Sequence, residues 1–583
     1  MAYIDVLQQV GRLRAAGEYA QARQLVQRNL QRTPRDAGLW VLLGALHMEA
    51  RQVDQAEFAA RKAVEIAPAM PATLSALAQA LVQQTGKERE GADLARRSLA
   101  IDPRHAASFS ALTLALHRLG ELHACRAELE RACQALPNPG ELRHNYARLL
   151  LELGRGPAAM EQIELSLRET PNHPDLIRFA AMASHYSDAL TPEVVFARHR
   201  AAGALADRVA PLPPLGPDAA LSAGTRRIRV GFVSADFRSH SVASFIEPLL
   251  RGLDRARFEP SLWWNGDKPD EVTQRLRGLA EGWHDIVALS DPQAAKLVRD
   301  TRIDVLCDLS GYTGGGRPGV FSLRPARAQL TMIGYPGSTG SRRFDARLVD
   351  AITDPPGAEA FATEPLVRLP GCFLCYQPPR LDVPVVPRRD GPIVFGSFNN
   401  AAKISAHTAR LWRGVLDAAP GSRLLLKVKG VGSPEGAAFC REGLTALGLD
   451  LTRIDLTPHA PSVSEHLAQY SRVDIALDTF PYHGTTTTCE ALWMGVPVVT
   501  RLGAVHAARV SASLLRAAGL DELVADDDAG YIRIATQLAA DQTRLAAMRR
   551  DLRSRLERSA LCDATTYAAA WAGEVERVLG VRR

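Results

Sequence analysis

Four threonines in a row, Thr485 to Thr488, separate an apolar run, "VDIALDTFPY", from "CEALWMG", which reads as a helix and leads into a second run, "VPVVT". Strand, loop, helix and strand in that order make a βαβ unit with the threonines at the helix N-terminus. One reading is a cap, because Thr487 and Glu490 fit the T-x-x-E box in which each side chain satisfies a free backbone N–H. One cap uses one threonine, however. The other reading is a ring of hydroxyls and free N–H groups that holds phosphate. Three more residues could do chemistry at similar places. Lys403, in "FGSFNNAAKIS", follows a strand and is either solvated or aimed at phosphate. His240, in "ADFRSHSV", is either polar surface or a base facing a cleft. His466, in "SEHLAQY", lies near the start of a short helix.

Other patterns exclude chemistry. "GYTGGGRPG" (311–319) is glycine-rich but lacks the Gly-Lys-Ser/Thr ending of a P-loop, which disfavours ATP hydrolysis. "ADDDAG" (525–530) contains a D-x-D, yet its place between an apolar run and "YIRIATQL" makes a helix N-cap the better reading. Cys372 and Cys375 form a C-x-x-C without a second ligand pair at zinc spacing, so they are expected in the core.

The elements that must position these residues alternate. "RRIRVGFVSADF", "FEPSLWW", "IDVLCDLS" and "QLTMIGYPG" are strands with helices between them. A Pro-rich stretch at 377–392 follows, and the alternation restarts with "IVFGSF", a helix at 406–418, "SRLLLKVKG", a helix at 434–447 and "RIDLTP". Two alternating blocks predict two doubly wound sheets at 226–380 and 381–583, with ligands beyond the carboxyl ends of the strands. The cleft between them is the default site.

The N-terminal third is different. Prolines recur at Pro34, Pro68, Pro103, Pro137 and Pro171, and a small residue keeps the same phase at Ala22, Ala56, Gly91, Cys125 and Ala159. That period and the "WVLLG" of Trp40 to Gly44 are the tetratricopeptide signature, with about five repeats over 1–185. Such an array stacks into a superhelix whose groove can take a peptide and whose surface can also serve as a dimer contact. Helices continue to about 209, and the Pro- and Gly-rich 210–225 closes a helical extension and linker at 186–225.

Seventy basic and 64 acidic residues leave a net charge of +6 in 583 residues, which predicts no dominant field for nucleic acid or membrane. No apolar run approaches the roughly 20 residues of a membrane span. The start, "MAYIDVLQQV", lacks the form of a signal peptide, and eight scattered cysteines suit a reducing cytoplasm. A cytoplasmic protein is expected.

Together, "VGFVSADFRSHSV", "LSGYTGGGRPGVFSLRPA", "IGYPGSTG", "FGSFNNAAKI" and "LDTFPYHGTTTTCEALWMGVPVVT", behind tetratricopeptide repeats, resemble the protein O-GlcNAc transferase family. That family includes animal and bacterial enzymes and the plant SPINDLY-type O-fucosyltransferases. The resemblance implies a GT-B fold, two Rossmann-like domains around a cleft, no required metal, and inverting transfer of one sugar to Ser or Thr of a protein. It implies that Lys403 stabilises the leaving diphosphate, with Asn400 beside it, and that Thr485, Thr486 and Thr487 bind the phosphates. Glu490 would hold the ribose hydroxyls, as an Asp does in animal enzymes. His466 would lie near the base or ribose, and Thr313 and Gly334 around the sugar and phosphates. His240 matches a proposed general base. UDP-GlcNAc is the favoured donor. "FNNAAKI", "DTFPYHGTTTTCE" and "GAVHA" are nearer the SPINDLY type, which makes GDP-fucose the alternative. A repeat scaffold that binds nucleotide with little turnover is the non-enzymatic reading. The groove carries no phased asparagine ladder, since 1–185 holds only Asn29, Asn138, Asn145 and Asn172.

Overall fold

The computed structural model describes residues 3–15, 18–388 and 391–581, so Arg389 and Asp390 of the Pro-rich stretch lie outside it, as do the chain's first two and last two residues. The chain forms two compact units, one of 1–150 with 161–171, the other of 151–160 with 172–583.

The first unit is built from helical hairpins: Tyr3–Ala15 with Tyr19–Arg32, Ala37–Glu49 with Val53–Ile66, Pro71–Val82 with Glu88–Ile101, and Ala106–Arg118 with Leu122–Ala135. A fifth pair, Gly140–Glu152 and Gly156–Glu169, crosses the division between the units. The phased small residues are buried because they let paired helices touch. A Cβ at Gly91 would stand 2.5 Å from Val82 Cγ2, so a larger residue there would require Val82 to shift for the third hairpin to close as it does. Pro68 and Pro103 stand one residue further apart than the other repeat prolines, and that residue falls between Val82 and Glu88, in the inter-helix turn.

The second unit holds two parallel sheets. The first comprises β1 Ile228–Ser234, β2 Phe258–Trp264, β3 Gly282–Asp285, β4 Val305–Asp308, β5 Ala328–Thr331, β6 Ala346–Asp350 and β7 Leu366–Leu369, in the order β3-β2-β1-β4-β5-β6-β7. The second comprises β8 Val394–Ser397, β9 Arg423–Lys427, β10 Ile454–Thr457, β11 Ile475–Leu477, β12 Val498–Arg501 and β13 Val524–Ala525, in the order β10-β9-β8-β11-β12-β13. Both carry the doubly wound order, in which the chain reverses direction across the sheet once. The reversal opens a crevice beyond β1 and β4 in the first sheet and beyond β8 and β11 in the second.

One assignment departs from the sequence reading, that of the last helix. The segment 186–225 carries the expected helical extension. Its helix Pro192–Asp207 packs on first-sheet loops so closely that a Cβ at Gly203 would overlap the Gly340 carbonyl, at 2.0 Å from its carbon. Asp207 Oδ1 accepts from Ser341 Oγ at 2.6 Å. The last helix, Ala564–Leu579, was expected with the second sheet but packs on the first. Its fully buried Trp571 lies 5.8 Å from the Phe232 ring of β1 and 5.9 Å from the Phe258 ring of β2. Sequence order assigned it to the nearer neighbour, and apolar area decided otherwise. The two sheets are also tied by polar contacts. Asp350, at the end of β6, accepts from Ser513 Oγ at 2.5 Å, and Asp354 meets His506 Nδ1 at 2.5 Å.

Candidate functional site

Beyond β8 and β11 the loops are pinned by one buried carboxylate. Asp478 accepts from Gly484 N (2.8 Å), Thr479 N (2.9 Å), Asn399 Nδ2 (3.0 Å) and Thr500 Oγ1 (2.7 Å). Four donors on one side chain fix the 478–484 loop before any ligand arrives. Asn399 extends the network, taking a hydrogen bond from Thr487 Oγ1 on its own Oδ1.

Lys403 ends a single 3-10 turn, Ala401–Lys403, whose N-cap is Asn400; the Asn400 side chain accepts from Ala402 N at 3.0 Å. Nζ of Lys403 donates to the His483 carbonyl at 2.6 Å and stands 3.9 Å from the centre of the Tyr482 ring. Burial pulls its pKa down to about 8, with the Asp478 charge opposing. An ammonium with one carbonyl partner, a ring face and no direct carboxylate retains capacity for an anion.

The helix Thr486–Trp493 starts two residues earlier than the T-x-x-E pattern of Thr487 and Glu490 requires, so that box does not form. Its N-cap is Thr485, which makes no side-chain cap bond. The four threonines divide their work. Thr488 is buried against Ser511 Oγ at 2.9 Å, and Thr487 ties to Asn399. Thr486 Oγ1 is buried and has no hydrogen-bond partner among the described residues. An unpaired buried hydroxyl costs about 1–3 kcal/mol unless something satisfies it. It sits beside the free N–H groups of the helix start, where an anion would be held by both. Glu490, one turn further on, meets His466 Nε2 through Oε2 at 2.9 Å.

The first sheet presents different chemistry. His240 is the N-cap of the helix Ser241–Gly252; its Nδ1 accepts from Val242 N at 3.3 Å and lies 3.7 Å from Asp236 Oδ2. The side chain is 40 % exposed. Partial burial lowers its pKa, against the pull of Asp236, which favours the neutral form that can accept a proton. In the glycine-rich loop after β4, Asp308 accepts from Ser310 N (2.9 Å) and Gly311 N (3.1 Å), and burial raises its pKa to about 6. Thr313 Oγ1 donates to Ser310 O at 2.7 Å. Gly334 must be glycine, since a Cβ would lie 1.8 Å from the Leu309 carbonyl oxygen. Next to it, Tyr335 joins the two halves. Its ring is 5.7 Å from His185, which is 6.1 Å from Tyr482, the ring beneath Lys403.

The structure thus gathers Asn400, Lys403 and Thr485, Thr486 and Thr487 around one crevice, with His466 and Glu490 paired beside it. His240, Thr313 and Gly334 belong to the first sheet's crevice. The D-x-D is split between other tasks: Asp527 caps the helix Asp528–Ala540 through Gly530 N at 2.7 Å, and Asp528 pairs with Arg501 at 2.6 Å and His407 at 2.9 Å. Cys372 and Cys375 are buried in the core. Sequence reasoning missed Asn399, Asp478 and Tyr482. The "NN" and "LDTFPY" signals were present, but strand-end polar residues carry no mark of which way they turn.

Comparison with known proteins adds the following. The profile of glycosyl transferase family 41 matches residues 198–377 and 386–571, and that of the tetratricopeptide domain of cytochrome c-type biogenesis protein H matches residues 18–143. A SPINDLY protein of Petunia hybrida, described as a probable UDP-N-acetylglucosamine–peptide N-acetylglucosaminyltransferase, is 40% identical over 361 residues, covering 59% of this chain and 39% of its own. The similarly described SEC protein of Arabidopsis thaliana is 29% identical over 361 residues, 59% of this chain and 36% of its own. This chain therefore spans about two fifths of the length of such curated relatives. The solved structure of a mutant O-GlcNAc transferase from Thermobaculum terrenum superposes with a TM-score of 0.80 at 32% identity, covering 88% of this chain and 98% of that one. Tetratricopeptide helices followed by two Rossmann-like domains are common to both.

Proposed function

We propose, from the premise that this chain belongs to glycosyl transferase family 41, that it moves a single sugar from a nucleotide donor to a Ser or Thr hydroxyl of a protein, with inversion. The observation that carries this reading is Lys403, a partly desolvated ammonium held beside a helix N-terminus that has an unpaired buried hydroxyl. Together they supply the positive potential that a leaving diphosphate requires, the task a metal ion performs elsewhere. No metal is required in this scheme. The acceptor oxygen attacks the anomeric carbon as its proton passes to His240 Nδ1, which gives up its bond from Val242 N and is steadied by Asp236. The bond from that carbon to the diphosphate oxygen breaks, and its electron pair leaves on the diphosphate opposite Lys403. Lys403 interacts more strongly as that charge grows, so it lowers the barrier rather than only tightening binding.

UDP-GlcNAc is the donor favoured by the names of the relatives. GDP-fucose is the second reading, supported by SPINDLY-like motifs and by 40% identity to a SPINDLY protein against 29% to SEC. Protein acceptors are proposed to engage the repeats, which could also pair two copies of the chain. Nucleic acid and membrane have no place in the scheme, and no helix among the described residues is long and apolar enough to cross a membrane. The deciding experiment is thermal-shift titration with UDP, GDP, UDP-GlcNAc and GDP-fucose, because a ligand of the folded state alone raises its melting temperature. A shift with the uridine pair identifies the GlcNAc donor, a shift with the guanosine pair the fucose donor, and no shift with any of them overturns the reading.

A further inference from the structure

Lys427 is the last residue of β9 and lies next to the strand that leads to Lys403. Only 8 % of it is exposed. Its Nζ is 2.6 Å from His466 Nδ1, and His466 Nε2 is 2.9 Å from Glu490 Oε2. These contacts form an ordered chain of ammonium, imidazole and carboxylate. An ammonium has donors and no acceptor, so Nδ1 of His466 must accept. The ring proton is then on Nε2, where it is donated to Glu490. Glu490 is held by one oxygen, and its Oε1 accepts no hydrogen bond from the described residues.

The surroundings make this chain stiff. The Phe398 ring centre lies 5.2 Å below the Lys427 ammonium and 4.6 Å from the Tyr470 ring, whose hydroxyl donates to the Thr487 carbonyl at 3.2 Å. Burial lowers the Lys427 pKa to about 8, with Glu490 opposing, so the side chain stays mostly charged at neutral pH. His459 also faces it and is kept neutral, its pKa pulled to about 4 by burial and by Lys427, Lys429 and His466. A dry aromatic floor under a fixed charge strengthens each hydrogen bond in the series.

We infer that Lys427 is a positioning residue that acts through the His466 tautomer to aim Glu490 at the ribose hydroxyls of a nucleoside diphosphate. This rests on the function proposed above and names the part of the donor that the trio reads. A lysine that merely balances the Glu490 charge would need no contact with His466 Nδ1, and would not distinguish ribose from a sugar without hydroxyls.

The test uses the full chain. Calorimetric titration compares UDP and GDP with their 2′,3′-dideoxy forms and with pyrophosphate. Lys427→Met is expected to weaken the ribonucleotide by about tenfold, the loss typical of one charge-assisted hydrogen bond, and to leave the dideoxy form and pyrophosphate unchanged. Lys427→Arg, which keeps a charged donor, is expected to restore most of the difference. Nitrogen-15 spectra of His466 need no ligand and are expected to show the Nε2–H tautomer in the wild type and a mixture in Lys427→Met. Equal losses for ribo and dideoxy forms overturn the inference, as does an Nδ1–H tautomer in the wild type. A wild type that shows the Nε2–H tautomer but binds no nucleoside diphosphate overturns the proposed function and the ribose role with it. A wild type that binds both sugar forms equally overturns the ribose role alone.

Discussion

Leaving β1, the chain passes through a loop whose His240 is 40 % exposed and lies 3.7 Å from Asp236; leaving β8, it enters a loop whose Lys403 is desolvated, seated on Tyr482 and backed by Asp478. The two sheets share one strand order, so the difference lies in the loops. One crevice holds its polar groups in a fixed network, as is needed for a diphosphate that must be bound in a single pose. The other leaves an imidazole accessible, as is needed for a base that must meet varied acceptors. In the proposed transfer reaction, the shared scaffold would thus supply a rigid donor side and an open acceptor side.

The comparison breaks first at its two named residues. Lys403→Ala is expected to lower turnover by about 1000-fold, because its contact strengthens as the sugar bond breaks. His240→Ala is expected to lower transfer by about 100-fold, the loss of a general base, with nucleotide affinity nearly unchanged. Steady-state rates and calorimetry on both variants check this. A His240→Ala enzyme at wild-type rate removes the base from the first sheet, and a Lys403→Ala enzyme at wild-type rate removes the phosphate site from the second.

A pH series sharpens the donor side. Lys403 is charged below its lowered pKa of about 8 and neutral above it, so the ratio of pyrophosphate affinities between the wild type and Lys403→Met is expected to be level near pH 7 and to fall towards one above pH 8. Pyrophosphate is the proper probe because it has no ribose to report on Lys427. A ratio independent of pH up to 10 would place the anion away from Lys403. Next in size is the effect of removing the repeats. Deletion of residues 1–140 is expected to weaken transfer to protein acceptors several-fold more than donor hydrolysis, and equal losses would make the repeats part of the catalytic fold. Smallest is the effect of a chelator. Nucleotide affinity in EDTA is expected to be unchanged, and a loss reversed by manganese would overturn the metal-free scheme.

Much of this arrangement was legible in the sequence, for reasons that particular residues make plain. The helix Ala406–Ala418 has the bounds its apolar periodicity predicts. The strands β3, β6 and β7 escaped, since "GWHD", "ARLVD" and "LVRL" are short and mix charge into their apolar pattern. At the site, adjacent residues defeat one-dimensional reading. Asn399 is buried in the network and Asn400 caps a turn at the surface, yet the letters are the same. In "LLLKVKG", Lys427 is buried against His466 while Lys429 is exposed and paired with Glu152. The threonine run fits a capping pattern as well as an anion site, and only the true helix start, at Thr486, separates the two.

The helix Ala564–Leu579 covers β1 and β2 with residues translated more than 300 positions after them. As the chain emerges from a ribosome, the apolar face that takes Trp571 stays open through synthesis of the entire second sheet. Synthesis order and completion order are therefore reversed for this region: the sheet made first is finished last. A stop codon before residue 564 would leave every proposed donor and acceptor residue in the product, yet expose Phe232 and Phe258 to chaperones and proteases.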